Sequence, residues 1–214
     1  VLVFKGTAFG LKTPALKAFM NNNDALRMFL SRSAVEIAPL LIGWTFHVGE
    51  VGGLIVETEA YCRTDPASHS FSGPTRRNAS MFGSPGSAYV YRIYGLHWCI
   101  NIVCADASAV LLRAIEPRQG IPLMQERRGM TDLKQLCSGP AKLAQALAIS
   151  GELDGAALDA APFLLSAPEQ PCTVDCGPRI GISRAVEEPW RFWLRGSGFV
   201  SGPKSRLNAP KVSP

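Results

Sequence analysis

A mixed α+β fold in a single domain is predicted by three features of the sequence. Apolar runs with the alternation of β-strands recur along the chain in mixed order, with few helical segments between them. A chain of 214 residues is long enough for one well-buried core and short for two. No internal repeat and no linker-like stretch interrupts it, and its 47% hydrophobic and 18% charged fractions are those of an ordinary globular protein.

The elements follow in order. Residues 1–23 mix Gly, Pro, Lys and the run Asn21-Asn22-Asn23 without a sustained period, and residues 1–25 are set apart as an N-terminal arm. From Ser33, the segment SAVEIAPLLIG reads as a short helix, with Ser33 and Glu36 as a capping box and Gly43 as a stop. Pro39 removes an internal hydrogen bond, so that helix is either kinked or shortened there. Residues 44–48 and 53–61 read as strands joined by a turn through Gly49, Gly52 and Gly53. Side chains two apart share a strand face, which puts Glu57, Glu59 and Tyr61 together. A polar connection over 62–88 is of the length and composition that carries function. Residues 88–94 and 97–104 then form a predicted hairpin around Gly95-Leu96. Residues 109–115 make a further strand closed by Glu116-Pro117. Helices are predicted over 124–128 and 140–149, a strand over 190–194, and a flexible tail over 201–214.

The formal net charge of +5 favours a polyanionic partner without proving one. No apolar run approaches the roughly 18 residues of a membrane span, and the N-terminus lacks the pattern of a secretory signal. The expected compartment is therefore cytoplasmic, or nuclear in a eukaryote. The six cysteines are scattered through apolar segments and read as reduced thiols. There is no Cys-x-x-Cys and the three histidines are far apart, so no metal site is predicted.

Three constellations carry candidate chemistry. Glu57 and Glu59, about 6.6 Å apart along a strand, either sit on a solvated face, pair with arginines, or face a pocket where a carboxylate deprotonates water. The aromatic set Tyr61, His69, Tyr89, Tyr91, Tyr94, His97 and Trp98 serves either as half-buried packing or as stacking surface for planar bases. Arg76, Arg77, Arg92, Arg113 and Lys142 are either phosphate contacts or an ordinary basic surface.

The blocks IVETEAY (55–61), His69-Ser70, RRNASMFGSPGSAYVYRIYGLHWCIN (76–101), VLLRAIEP (110–117), LCSGPAKLAQALAI (136–149), PRIGI (178–182) and WRFWLRGS (190–197) resemble, in this order, the alkyladenine or 3-methyladenine DNA glycosylase family. The resemblance covers roughly 26–200, which is expected to be the glycosylase domain. It implies a curved antiparallel sheet with surrounding short helices and a protruding β-hairpin that inserts into DNA. It implies that Glu59 is the general base and Arg113 its partner at the water site. Tyr61, His69 and Tyr91 would sandwich and hydrogen-bond an extruded base, and Asn101 would discourage guanine through its exocyclic amine. Tyr94 would enter the minor groove and fill the gap, while Arg76, Arg77 and Lys142 are candidate phosphate contacts. The implied activity is monofunctional hydrolysis of alkylated or deaminated purines from duplex DNA. 3-Methyladenine and 7-methylguanine are the expected substrates, with hypoxanthine and ethenoadenine as further candidates. No cofactor and no membrane are implied, and a monomer is expected. Composition leaves open a catalytically silent DNA-lesion or RNA-binding module and a carbohydrate glycosidase using Glu57 and Glu59.

Overall fold

The computed structural model describes residues 23–202; most of the predicted arm and nearly all of the predicted tail lie outside the described residues. The fold is α+β, built on a curled antiparallel half-barrel of eight strands. In chain order the strands are β1 (Thr45–Val48), β2 (Val51–Tyr61), β3 (Ala88–Ile93), β4 (His97–Val103), β5 (Ala109–Gln119), β6 (Phe163–Ser166), β7 (Val174–Gly177) and β8 (Arg191–Leu194). They run in the order β3-β4-β5-β2-β1-β6, with β8 joining β2 and β7 joining β8. The helices are α1 (Asn23–Leu30), α2 (Ala34–Leu40), α3 (Ile121–Arg128), α4 (Leu133–Leu136) and α5 (Pro140–Ala146).

Strand β2 is the centre of the sheet. Its Thr and Val residues suit a pleated, buried surface, and β5 pairs along one of its edges. The other edge is shared: β1 pairs with Val51–Leu54 and β8 with Glu57–Glu59. Every residue from Ile55 to Ala60 is buried. The register against β5 shifts on either side of Glu57, a bulge of the kind that redirects side chains.

The two-residue alternation of β3, β4 and β5 divides the sheet into two working faces. Val90, Ile100, Ile102, Val110 and Leu112 pack with Ile37 and Leu41 around α2 and Leu143 and Leu147 around α5 in the main core. Tyr89, Val103 and Ala109, with Met81 from a 3₁₀ turn, form a second cluster on the opposite face, which also carries Tyr61 and Tyr91. The outer edge of β3 is covered at its root: Ala88 exchanges backbone hydrogen bonds with Gly155 and Ala156, and the Val90 N–H donates to Asp154 Oδ1 at 2.8 Å.

Several elements differ from the sequence reading. Helix α2 ends at Leu40, so Pro39 falls in its last turn and shortens the helix without kinking it. Ser33 is its N-cap residue, but the side chain makes no capping hydrogen bond. Only Gly49, with φ 58°, lies in the β1–β2 turn. Gly52 and Gly53 are inside β2, where a Cβ would fall 1.9 Å from the His47 ring and 2.0 Å from the Glu116 carbonyl oxygen. They are glycines because neighbouring groups approach closely, not because the chain turns. Helices α1 and α4 and strands β6 and β7 were not predicted; α1 overlaps the stretch set apart as an arm, and the other three span four residues each.

Gly53→Ala is expected to lower stability by about 1–3 kcal/mol, since a backbone carbonyl cannot move aside as a flexible side chain would. An unchanged midpoint in urea unfolding would reject this account of the close strand contact.

Candidate active site

The face of the sheet turned away from the helices borders a cavity of about 770 Å³. Tyr61 of β2, Tyr89 and Tyr91 of β3, Cys99 and Asn101 of β4, and Leu111 and Arg113 of β5 line it. The long 62–88 connection adds His69 and Arg77, the segment 180–184 closes another side, and Tyr94 and Gly95 stand at the rim. Sheet alternation supplies the floor and loops supply the walls.

Beneath that floor lies a cluster of buried charges. Glu57 and Glu59 are both fully buried, which overturns a solvated strand face. Glu59 Oε2 accepts hydrogen bonds from Arg113 Nη1 at 3.1 Å and the Tyr61 hydroxyl at 2.8 Å, and Oε1 accepts from the Ile180 N–H at 2.7 Å. A carboxylate offers about four lone-pair positions, so these donors leave one. Glu57 accepts from Arg113 Nε at 3.3 Å, from Arg191 Nε, and from the Ser201 N–H at 2.6 Å. Burial works against the Arg113 cation, yet Glu59 and Glu57 outweigh it and raise its pKa. Neither glutamate lines the cavity directly, but all three donors to Glu59 (Tyr61, Arg113 and Ile180) do, whereas of the donors to Glu57 only Arg113 does. The role of Glu57 is that of a counter-ion to two arginines, which removes the observation a two-carboxylate glycosidase would need.

The aromatic groups form one connected wall. Tyr89 and Tyr91 stack with centroids 5.3 Å apart, and the His69 ring meets Tyr91 edge-on at 4.5 Å. His69 Nδ1 and the Tyr89 hydroxyl lie 2.8 Å apart. This bond selects the tautomer and thereby decides whether Nε2 donates or accepts. Burial, assisted by the Arg77 cation, lowers the His69 pKa. Burial likewise raises Tyr61, Tyr89 and Tyr91 far above ordinary phenols and pushes the Cys99 thiol up to about 11. Asn101 Nδ2 donates to the Tyr89 carbonyl at 3.0 Å, which fixes the orientation of its amide.

At the tip of the β3–β4 hairpin, Tyr94 and Gly95 have φ of 53° and 69°. Positive φ at both central residues matches the strand twist of a tight hairpin turn, but for a tyrosine it costs on the order of 1–3 kcal/mol. The side chain makes no compensating burial, since Tyr94 is 83% and neighbouring Leu96 76% exposed.

The basic candidates separate. Arg77 borders the cavity and donates to the Arg92 carbonyl at 2.8 Å. Arg76 is exposed beside it. Lys142 does not line the cavity; it lies two residues after the lining residue Pro140, and its ammonium donates to Gln135 at 2.6 Å.

Sequence reasoning had named Glu59, Arg113, Tyr61, His69, Tyr91, Asn101 and Tyr94, and all seven come together at this cavity or directly under it. It missed Asp65, Arg179, the Ile180 N–H, Arg191 and Ser201. Arg179, Ile180 and Arg191 lie in PRIGI and WRFWLRGS, two of the blocks that carry the resemblance, whereas Asp65 and Ser201 carry no local signal. Ser201, placed by the sequence reading at the start of the tail, is buried in the charge cluster, where its hydroxyl accepts from Arg113.

Comparison with known proteins identifies the family. The sequence profile described as methylpurine-DNA glycosylase matches residues 28–198. The chain is 61% identical over 173 residues to a protein of Agrobacterium fabrum, covering 81% of this chain and 90% of that relative. It is 58% identical over 173 residues to one of Rhizobium meliloti, covering 81% and 94%, and 56% identical over 176 residues to one of Nitrosospira multiformis, covering 81% and 91%. All three relatives carry the provisional name 3-methyladenine DNA glycosylase. On this extent of match, the chain belongs to the methylpurine-DNA glycosylase family and is a DNA glycosylase.

Proposed function

We propose that the protein extrudes a damaged purine nucleotide from duplex DNA into the aromatic cavity and hydrolyses its glycosidic bond, leaving an abasic site. 3-Methyladenine is the first expected substrate, followed by 7-methylguanine and then the neutral lesions hypoxanthine and ethenoadenine. The observation that carries this reading is the Glu59 carboxylate, held by three donors beneath a cavity walled with aromatic rings.

Extrusion is required because the reacting carbon is inaccessible in a stacked duplex. The strained, exposed Tyr94 is the group that would occupy the space the nucleotide vacates. Tyr61 and Tyr91 would hold the base by stacking, which favours electron-poor alkylated purines. His69, kept neutral, would hydrogen-bond its edge, and Asn101 would crowd the exocyclic amine of guanine. Arg76, Arg77 and Lys142 would contact phosphates. As the bond breaks, positive charge grows on the sugar. Glu59 would take a proton from the attacking water through its remaining lone pair and offset that charge. Arg113 would hold both carboxylate and water. Solvent does not reach Glu59 in the free protein, so water would gain the remaining lone pair only as the entering nucleotide displaces the cavity lining above it. No lysine lines the cavity among the described residues, so no Schiff base is available to cut the strand.

The direct test is a labelled duplex carrying a single hypoxanthine or ethenoadenine, assayed beside methylated DNA, with alkali added to cut abasic sites. Alkali-dependent cleavage is expected; binding without base release from any substrate would make the protein a silent lesion binder.

Glu59→Gln should bind the duplex and lose excision by at least about 100-fold. Glu57→Gln should instead destabilise the fold by about 3–5 kcal/mol, because it strips a charge from two buried arginines. Wild-type excision by the first variant, or wild-type unfolding by the second, would reverse the division of labour.

Tyr94→Ala is expected to shorten the flipped state. Fluorescence of ethenoadenine in the bound duplex reads this, and an unchanged signal counts against the wedge.

His69 should titrate below its ordinary 6.5, because burial and Arg77 both disfavour the imidazolium. Arg77→Ala removes the repelling cation and should move the midpoint upward in a side-chain NMR titration; a downward move would contradict the assignment of cause.

A further inference from the structure

Arg179 is wholly buried in its side chain and takes no part in the steps above, yet it contacts the strand that carries Glu59 and the segments on two sides of it. Its guanidinium pairs with the carboxylate of Asp65, Nη2 reaching Oδ1 at 3.1 Å and Nη1 reaching Oδ2. Nη1 also donates to the carbonyl of Ala60 at 2.9 Å, between Glu59 and Tyr61 on β2. Nη2 donates to the carbonyl of Ala185 at 3.3 Å, at the far end of the 180–184 wall. The cation lies over the rings of Tyr61 at 4.7 Å and Trp190 at 5.2 Å. Its Nε is buried without a hydrogen-bond partner among the described residues.

Asp65 holds a second wall. It accepts from the Ala67 N–H at 2.9 Å through its side chain and from the Ser68 N–H at 2.9 Å through its carbonyl. Those bonds shape the chain immediately before His69. One ion pair therefore ties the His69 segment, the catalytic strand and the 180–184 segment together. The residue that follows Arg179 is Ile180, whose N–H occupies Glu59 Oε1. A carboxylate bonded in this way has its open lone pair aimed by the neighbouring chain, and the neighbouring chain is aimed by Arg179.

We infer that the Asp65–Arg179 pair is a positioning latch for glycosidic hydrolysis: it fixes the Ile180 N–H on Glu59 and the ring of Tyr61, and so sets the direction in which Glu59 meets water. This rests on Glu59 being the general base. Arg179 touches neither base nor water and acts through Glu59.

The test is single-turnover excision of a methylated purine by saturating enzyme, with duplex affinity and thermal unfolding measured on the same samples. Arg179→Lys keeps the charge but cannot span Asp65, Ala60 and Ala185 together. It should lower the rate constant about 10- to 100-fold, the scale of a small misplacement of a catalytic group, while the affinity stays within about threefold. Asp65→Asn, which leaves Arg179 in place and unloads one side of it, should give a smaller loss of the same kind; it carries the test should Arg179→Lys not fold. Each substitution is then repeated in the Glu59→Gln background, where a latch acting through Glu59 has little further to cost. A second loss there as large as the first, or a rate per folded molecule equal to wild type in the single variants, would overturn the latch alone. Full excision by Glu59→Gln itself would overturn the general base and the latch with it.

Discussion

The structure depends on the buried ion cluster in which Arg113 bridges Glu57 and Glu59 while Arg191 completes the neutralisation of Glu57. Taking these charges out of water costs several kcal/mol each, and their attraction offsets that cost only when the geometry is good and the remaining lone pairs are used. The cluster therefore requires β2, β5 and β8 in one register and Ser201 drawn back onto Glu57 from 144 residues away. The contacts that close the fold here are also those that assemble the charge cluster. This also explains why the two glutamates, two residues apart on one strand face, do different things. The bulge at Glu57 and the arrival of β8 bury Glu57 behind two arginines, whereas Glu59 has Tyr61 and the cavity beside it.

The sheet lets one domain keep a dry core and a polar working face within the thickness of a strand. Branched side chains of β3, β4 and β5 go to the helices, and their alternate neighbours go to the cavity. A single-residue slip of any of these strands would exchange the two sets. The polar residues of the site are thus held by the same alternation that builds the core, and rigidity of the floor follows from packing on its other side.

Much of this was legible in the sequence. Alternation located β2 to β5 and put Glu57, Glu59 and Tyr61 on one face, and the turn at Gly95 placed Tyr94 at a hairpin tip. Motif resemblance drew His69, Asn101 and Arg113 into one site that no local pattern connects. What stayed hidden has physical reasons. Strands β6 and β7 span four residues each and belong to no block of the resemblance, whereas the equally short β8 lies in WRFWLRGS. The role of Gly52 and Gly53 depends on neighbours more than sixty residues away for one of them, so they resembled turn residues until the Glu116 carbonyl was seen against Gly53. Ser201, Asp65 and Arg179 act by long-range contact, and an isolated serine or aspartate looks the same in sequence whether it meets solvent or a buried guanidinium.

The covering of the β3 edge has a mechanical meaning. The hairpin is anchored at its root, where Ala88 and Val90 are bonded to residues 154–156, and again at Arg92, whose carbonyl takes the Arg77 guanidinium. Beyond that point it projects as a cantilever with Tyr94 at the free end. A load applied at the tip is carried back along β3 through Tyr91 and Tyr89 to the clamp. On the proposed wedge role of Tyr94, a load from the duplex would run down the hairpin into the same clamped segment that holds the stacked rings.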